Sequence, residues 1–483
     1  MALEEIRRDR IAKIQVLGHS AYPADTRRTH RITEVLKKFG TLSRKAKDVT
    51  VAGRMFARRE HGGAVFIDLA DSEGRIQAYL KRDALGDDFD AFLATTDLGD
   101  ILEVTGRPFL TKREERTLMV REWRMLAKSL RPLPEKWHGL KDVEERFRRR
   151  YLDVLMNPEV RERFLFRSGL VSTLRAFFDR ERFVEVETPM LHPIPGGTLA
   201  RPFVTHHNAL ETDLYLRIAP ELYLKRLLVA GYERVFEIGK CFRNEGIDAT
   251  HNPEFTMLEC YAAFWDEEQM MGLVENLFSE LCEKFFTRQA IEQEGKTITF
   301  KKPYARITFS ELLARYALIP DYDAESRDGL ASRARKFGIE TAPHESKGKI
   351  ADEIYKKICR PHLTNPTFLV RHPLEISPLA KKWEDRPTEV RRLQLVVGGL
   401  ELANGWAEVN DPIDQRERFE EQEQSRRGGE EEAMRLDEDF LEAMEYGMPP
   451  SAGLGIGIDR LAMFFTDTKN IREVVLFPTL RPR

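Results

Sequence analysis

The stretch GKCFRNEGIDATHNPEFTMLECY, residues 239–261, gathers an arginine, a histidine and three glutamates among apolar residues. Two alternating runs flank a polar turn, which predicts an antiparallel β-hairpin. Alternation puts Arg243 and Glu245 on one face of the first strand, and Glu259 and Tyr261 on one face of the second. A buried guanidinium needs an anion, so Arg243 either binds a phosphate or carboxylate of a ligand or forms a structural ion pair.

A second segment with the same mixture is VVGGLELANGWAEVND, residues 396–411. The turn at Gly398-Gly399 predicts a hairpin, and strict alternation then places Gln394 and Glu401 on one face. The opposite face is predicted to carry Asn404, Trp406 and Glu408. Both faces therefore combine apolar residues with side chains suited to binding a polar ligand.

The third segment is GLGIGIDRL, residues 453–461, in which glycine occupies every second position. Such a strand leaves one face without side chains, where a flat ring can lie, and Arg460 follows at the predicted strand-to-helix junction. The segment lacks the Lys-Ser/Thr of a P-loop and the G-x-G-x-x-G spacing of a dinucleotide fold. Close backbone packing is the alternative explanation for the glycines.

The N-terminal part of the chain has a different sequence pattern from these three segments. Helices are predicted over residues 3–18 and 32–40, and from residue 49 the pattern alternates with period two. The order strand-strand-strand-helix-strand-strand is typical of an OB-fold, which binds oligonucleotides on its central strands. Its outer face is predicted to carry Arg58, Gln77 and the stacking candidates Phe56 and Phe66. Burial of these rings under another domain is the alternative to nucleic-acid binding.

The composition limits the remaining possibilities. The chain has 483 residues, a net charge of −3 and four cysteines without a C-x-x-C pair, which argues against a zinc site or a disulfide framework and favours the cytoplasm. No apolar run approaches the roughly 20 residues of a membrane span, so no membrane partner is expected. The charge is uneven, with a basic N-terminal end and an acidic segment at 401–450, although charge runs are usually only solvated.

Together the three segments resemble those of class II aminoacyl-tRNA synthetases, and the chain also carries stretches that resemble all three signature motifs of that family. RFVEVETPM (residues 182–190) resembles motif 1, CFRNEG with HNPEFTMLE resembles motif 2, and GLGIGIDR resembles motif 3. The resemblance implies an α+β multidomain protein, with an OB-fold β-barrel before a class II catalytic domain built on a mainly antiparallel sheet with flanking helices. The expected domains are a helical segment at 1–47, the barrel at 48–130, a linker at 131–157, and the catalytic domain at 158–483 with an inserted subdomain at about 287–385.

The segments around APELYLKR and ELANGWAEVND are similar to the lysine branch of this family. The resemblance therefore implies activation of L-lysine by ATP with Mg²⁺, followed by transfer to the 3′ end of tRNA-Lys, in a cytoplasmic homodimer. The aspartyl and asparaginyl branches of the family are disfavoured, because a pocket for their substrates would need a cation at the position of Glu408. A paralogue without this activity would typically lack the barrel or one motif.

The resemblance also implies residue roles. Arg243 and Arg460 are the expected catalytic residues. The expected lysine site is Gly197, Glu221, Arg243, Glu259, Tyr261, Asn404, Trp406 and Glu408. The expected ATP site is Arg243, Glu245, His251, Phe255, Glu401, Gly453, Gly455, Gly457 and Arg460. The anticodon is expected on Arg58, Phe66, Gln77 and Phe56, and the dimer contact at Pro189.

One position departs from the family pattern. Two carboxylates are expected at the magnesium site, and this chain has Glu401 but Gln394 at the other position. Gln394 is predicted either to offer its amide oxygen to the ion or to hydrogen-bond a magnesium-bound water.

Overall fold

The structure is a computed structural model that describes residues 2–134, 142–286, 288–293, 295–343, 345–427 and 432–482. The chain divides into two compact units, Met1–Lys141 and Asp142–Arg483. The predicted linker 131–157 lies partly outside the described residues. Its last part forms the helices Val143–Arg148 and Arg150–Met156 of the second unit.

The first unit is a small β-barrel with helices. Its elements are α1 (Ala2–Val16), α2 (Ile32–Lys37), α3 (Phe39–Arg44), β1 (Val49–His61), β2 (Ala64–Ala70), β3 (Arg75–Lys81), α4 (Arg82–Leu85), α5 (Asp87–Thr95), β4 (Ile101–Leu110) and β5 (Arg116–Ala127). The strands pair in the order β1-β2-β3-β5-β4, and β4 pairs back with β1. The inward side chains Val51, Met55 and Ile67 are fully buried, as the alternation predicts. The predicted OB-fold is confirmed.

The second unit holds the remaining elements. Its helices are α6 (Val143–Arg148), α7 (Arg150–Met156), α8 (Pro158–Arg180), α9 (Glu221–Val229), α10 (Glu267–Phe286), α11 (Phe309–Ala317), α12 (Arg327–Lys336), α13 (Lys347–Ile354), α14 (Pro412–Arg427), α15 (Glu438–Glu445) and α16 (Ile458–Phe465). Its strands are β6 (Val184–Glu185), β7 (Leu191–His192), β8 (Val204–His207), β9 (Thr212–Leu216), β10 (Arg234–Phe242), β11 (Glu254–Ala263), β12 (Ala290–Gln293), β13 (Lys296–Thr299), β14 (Ala305–Thr308), β15 (Thr367–Pro373), β16 (Glu389–Val397), β17 (Leu400–Ala407) and β18 (Ser451–Gly457). Short π- and 3₁₀-helical turns lie at Tyr355–Cys359, Arg360–His362, Leu374–Ile376 and Ile471–Glu473. No helix in the described ranges is both long and apolar enough to cross a membrane.

An eight-stranded sheet in the order β14-β15-β16-β17-β18-β11-β10-β6 forms the frame of this unit. Only the outer pairs β14–β15 and β6–β10 are parallel, which confirms the predicted mainly antiparallel sheet. Helices α8, α10 and α16 cover the sheet with a continuous apolar core that includes Phe178, Phe278 and Phe464. Helix α10 was not predicted, and within the stretch 182–190 that resembles motif 1 only Val184–Glu185 forms a strand of the sheet, β6.

The region 287–385, predicted as an inserted subdomain, contributes two strands to the sheet. Strands β14 and β15 extend the sheet at one edge, so part of the region belongs to the frame. Helices α11 and α13 pack over these strands through a second core that joins Leu312 and Ile350 to Leu369 and Val396.

A bulge in the β16–β17 hairpin changes which residues share a face. The turn at Gly398-Gly399 pairs Val397 with Leu400 as predicted, but the register then shifts by one residue. Gln394 therefore pairs with Asn404, and the extra residue of β17 inverts the alternation. The prediction that Glu401 and Asn404 lie on opposite faces is wrong, because strict alternation fails at a bulge.

Candidate active site

A pocket opens where β17, β18, β11 and β10 lie side by side in the sheet. Its lining includes most of the predicted site residues: Gly197, Glu221, Arg243, Glu245, His251, Phe255, Glu259, Tyr261, Glu401, Asn404, Trp406, Gly453, Gly455, Gly457 and Arg460. Glu408 and Gln394 lie behind this lining. Three segments that are remote in sequence thus meet at one site.

Carboxylates dominate one end of the pocket. Glu221 at the start of α9, Glu259 on β11 and Glu408 just beyond β17 are 3%, 4% and 1% exposed. Helix α9 also supplies a cation, because the ammonium of Lys225 forms ion pairs with both Glu221 and Glu408. Lys225 was not among the predicted site residues, although its position four residues after Glu221 on a helix was a usable signal.

Glu408 keeps one oxygen without a partner. Its Oε2 accepts from Trp406 Nε1 at 2.9 Å and pairs with Lys225, whereas its buried Oε1 has no hydrogen-bond partner among the described residues. A Cβ at Gly453 would stand 2.4 Å from this Oε1 and 2.3 Å from the Tyr261 ring. Glycine is therefore needed here for close approach. An unpaired buried acceptor marks a place where a ligand can donate a hydrogen bond.

Glu259 and Tyr261 form the wall beside these groups. The Tyr261 hydroxyl donates to Glu259 Oε2 at 3.0 Å. Burial, together with the negative charge of Glu221, raises the pKa of Glu259 to about 8. Glu259 is thus mostly protonated at neutral pH, and a cation bound nearby would favour its charged form.

Gly197 brings a loop backbone against Glu221. Its φ of +93° is a conformation that glycine adopts readily, and a Cβ would stand 3.0 Å from the Glu221 Cβ and 3.1 Å from the Ala219 Cβ. The backbone of this loop therefore lies next to the Glu221 carboxylate.

The middle of the pocket offers hydrogen-bond donors. Arg243 follows β10 with its guanidinium 5.1 Å from the Phe255 ring centroid, and its buried Nε has no hydrogen-bond partner within the described residues. Glu237, a candidate partner for Arg243, pairs instead with Arg217. Asn404 Oδ1 accepts from a neighbouring guanidinium at 3.0 Å, which leaves its amide N–H groups to donate. These donors suit a carboxylate or phosphate.

The far end of the pocket is more open. Arg460 Nη2 lies 2.7 Å from His251 Nε2, and His251 Nδ1 lies 2.8 Å from Asp248 Oδ2. Since a guanidinium only donates, Nε2 accepts and Nδ1 donates. Asp459 holds the start of α16 by accepting from Thr256 N at 2.8 Å and pairing with Arg167 at 2.7 Å. These last two contacts bridge distant segments and had no local sequence signal.

Comparison with known proteins matches this arrangement. Residues 142–481 match the family of class II tRNA synthetases (D, K and N), and residues 49–126 match the OB-fold nucleic acid binding domain. The chain is 49% identical to the lysine–tRNA ligase of Roseiflexus sp. (strain RS-1), with each chain covered completely. It is 46% identical to the lysine–tRNA ligases of Carboxydothermus hydrogenoformans and Moorella thermoacetica, over 100% of this chain and 98% of each relative.

The chain belongs to the lysine–tRNA ligase family of class II tRNA synthetases. The predicted resemblance is therefore confirmed.

Gln394, the position that departs from the family pattern, lies behind Glu401. It is 4% exposed, its amide N–H donates to Glu401 Oε2, and its oxygen accepts from the Tyr355 hydroxyl at 2.5 Å. Because a carboxylate only accepts, this orientation of the amide is required. Both groups of the Gln394 amide are thus bonded within the chain, which favours an indirect role through Glu401, and the place of Gln394 at the magnesium site stays a prediction.

The carboxylate of Glu401 remains on the pocket wall. Within the described ranges, no three His, Cys, Asp or Glu residues are grouped so that they could hold a metal ion. Mg²⁺ is often held by one or two carboxylates together with substrate phosphates, so Glu401 fits such a site.

The barrel carries an aromatic cluster among the residues predicted to bind the anticodon. Phe66 packs against Tyr79 with ring centroids 4.6 Å apart and an interplanar angle of 30°, and both rings are half-buried, as is Phe56. Arg58 donates to Thr96 O at 3.0 Å. Gln77, predicted on the open face, is only 7% exposed, and its amide bonds Glu115 and Thr117 at 3.1 and 2.9 Å. Phe66 is thus better placed to meet a base than Gln77.

Proposed function

We propose that this protein activates L-lysine with ATP to form lysyl-adenylate and pyrophosphate, and then transfers lysine to the 3′ end of tRNA-Lys. The observation that carries the proposal is the charge pattern of the pocket. Buried carboxylates at one end face the donors of Arg243 and Asn404. A substrate with two ammonium groups and one carboxylate complements this pattern.

In the proposed complex, each charge of lysine meets an opposite charge or a suitable donor or acceptor. The α-ammonium binds Glu221 and the backbone of Gly197, and the carboxylate binds Arg243 and Asn404. The ε-ammonium meets the unpaired Oε1 of Glu408 and the hydroxyl of Tyr261. Aspartate or asparagine would leave Oε1 of Glu408 buried without a donor, which is a large penalty.

The first chemical step is nucleotidyl transfer. A lysine carboxylate oxygen forms a bond to the α-phosphorus of ATP, and the bond from that phosphorus to pyrophosphate breaks. Arg243 neutralises the α-phosphate and Arg460 holds the γ-phosphate, so catalysis rests on positioning and charge. Phe255 and the Gly455–Gly457 strand hold adenine, with Glu245 and His251 beside the nucleotide.

Glu401 is the residue that would hold Mg²⁺. When bound, the ion neutralises phosphate charge during this step. Gln394 acts on that site only through its hydrogen bond to Glu401.

The remaining parts of the proposal concern partners. The anticodon of tRNA-Lys binds the barrel face through Phe66, with Phe56, Arg58 and Gln77 around it. A second copy of the chain packs near Pro189, where Val184, Met190 and Leu191 are 48%, 46% and 44% exposed. A cytoplasmic location accords with translation and with the four buried cysteines, all of which are free thiols.

The test is ATP–pyrophosphate exchange measured with each of the twenty amino acids. We expect exchange with lysine and none with aspartate or asparagine. Exchange with aspartate, or with no amino acid, would overturn the proposal.

A further inference from the structure

Lys225 has no part in the reaction described above, yet it lies at the centre of the acidic end of the pocket. Its side chain is 1% exposed. The ammonium pairs with Glu221 on its own helix and with Glu408 beyond β17, and it lies about 6 Å from the ring centroids of Tyr261 and Trp406. A lysine thus sits beside two of the carboxylates proposed to recognise lysine.

Burying an ammonium is costly unless it is paired, and two buried carboxylates without a cation repel each other. Here one ammonium offsets both carboxylates. Glu221 and Glu408 belong to different elements, and within the described residues the Glu408 carboxylate has, besides Lys225, one hydrogen bond, from Trp406 Nε1. Lys225 is therefore the cation that links helix α9 to the end of β17.

The pairing is also selective among the oxygen atoms. Lys225 contacts Glu221 Oε1 and Glu408 Oε2, and it leaves Glu408 Oε1 unpaired next to Gly453. With Lys225 in place, Glu408 has one oxygen held within the chain and one oxygen left for an incoming donor.

Resting on the proposed function, we propose that Lys225 is a positioning residue for lysine selection. Its ammonium holds Glu221 and Glu408 in the geometry that receives the two substrate ammonium groups. Lys225 touches no reacting atom and acts only through these carboxylates.

The test variant is Lys225→Met, which keeps the length of the side chain and removes its charge. At pH 7 we expect the KM for lysine to rise by at least about tenfold, with the KM for ATP changed less than about twofold, because only one substrate meets the affected carboxylates.

The pH profile separates positioning from a structural role. The titratable groups facing Glu408 are Lys225, Glu221 and Tyr261, with Glu259 behind Tyr261, and the neutral Trp406 donates a hydrogen bond, so without Lys225 no cation remains among these groups. The pKa of Glu408, already raised by burial, then rises further, so a higher pH is needed to charge Glu408 in the variant than in the wild type. The fall of the KM for lysine with rising pH should therefore lie at higher pH in Lys225→Met than in the wild type.

The matched control is Arg226→Met in the same helix. It removes a cation that pairs with Asp437, away from the pocket lining, and should leave the KM for lysine unchanged. If Lys225→Met does not fold, Lys225→Gln should show the same split between substrates with a smaller effect.

Equal KM changes for both substrates, a lower KM for lysine, or a pH profile of the KM for lysine that is not displaced to higher pH would overturn the proposal. Failure of both variants to fold would also overturn it, since Lys225 would then be a stability residue. If the wild-type protein shows no lysine-dependent exchange, the proposed function itself falls, which is a distinct result.

Discussion

At the end of the pocket proposed to bind lysine, the charges of Glu221, Glu408 and Lys225 are buried and paired within the chain, whereas at the end proposed to bind ATP the charged groups are more exposed. Glu221 and Glu408 are held by the ammonium of Lys225. Arg460, by contrast, is half-buried and bonds the imidazole of the exposed His251. The same pocket therefore combines a rigid, desolvated end with a more open one.

The difference follows from the two substrates. An amino acid is small and must be distinguished from many similar molecules, and buried polar groups that would otherwise stay unpaired discriminate strongly. ATP carries several phosphates and an adenine ring. Cations and a flat surface can therefore bind it without fully buried polar groups in the site. The following predictions test whether the two ends behave independently.

The largest expected effect is that of Glu408→Gln at the buried end. We expect the KM for lysine to rise by about 100-fold, because Lys225 loses one buried partner and the ε-ammonium loses its acceptor. The KM for ATP should change little. Pyrophosphate exchange with each substrate varied in turn measures both, and Glu438→Gln at an exposed ion pair is the control. An equal loss for both substrates would contradict this role.

At the open end, Arg460→Lys keeps the charge but loses the planar fork. We expect the KM for ATP to rise by about tenfold while the KM for lysine stays within about twofold. Arg416→Lys, at a surface pair, serves as the control in the same assay. A parallel rise for lysine would show that the two ends are coupled.

Neither end of the pocket should respond to Phe66→Ala in the barrel. Loss of one stacked base costs about 1–3 kcal/mol, so the kcat/KM for tRNA charging should fall by about tenfold. Pyrophosphate exchange, which needs no tRNA, should be unchanged. If exchange falls in parallel, Phe66 holds the fold and does not read tRNA.

A several-fold effect of pH is expected at the buried end only. Glu259, with a pKa of about 8, is protonated below that pH, and lysine prefers the charged form, so the KM for lysine should fall as pH rises from 6.5 to 8. In Glu259→Gln the KM for lysine should vary less with pH. If the KM of the wild type varies as little with pH as that of the variant, this assignment is contradicted.

The same shift predicts a stability effect. The folded protein holds the Glu259 proton up to about pH 8, whereas an ordinary glutamate, with a pKa of 4.5, has released it. The free energy of unfolding of the wild type should therefore decline relative to that of Glu259→Gln as pH rises from 4.5 to about 8. Thermal unfolding at several pH values can measure this difference.

The smallest effect is expected for Gln394→Glu behind the metal site. A second carboxylate beside Glu401 should lower the magnesium concentration for half-maximal exchange by about twofold to threefold, with normal folding and retained activity. Magnesium titration of wild type and variant decides this. Identical requirements would remove position 394 from any influence on the metal.

Much of this molecule follows from local sequence patterns. Alternation and turn chemistry predict the barrel strands, the hairpin around Arg243 and the turn at Gly398-Gly399, because each depends on neighbours in the chain. The resemblance to class II synthetases also predicts which residues meet in the pocket, and fifteen of the predicted site residues line it. These features need no knowledge of distant contacts.

Other features were decided only by the tertiary structure. The bulge in β17 depends on how that hairpin fits between β15 and β18, and it reverses the face of Asn404. The link from Lys225 to Glu408 spans two elements far apart in sequence. The amide oxygen of Gln394 accepts a hydrogen bond from the hydroxyl of Tyr355, which comes from another part of the chain. Buried polar and charged groups need hydrogen-bond or ion-pair partners, and the fold decides which side chains lie close enough to be those partners. Local periodicity in the sequence therefore does not predict them.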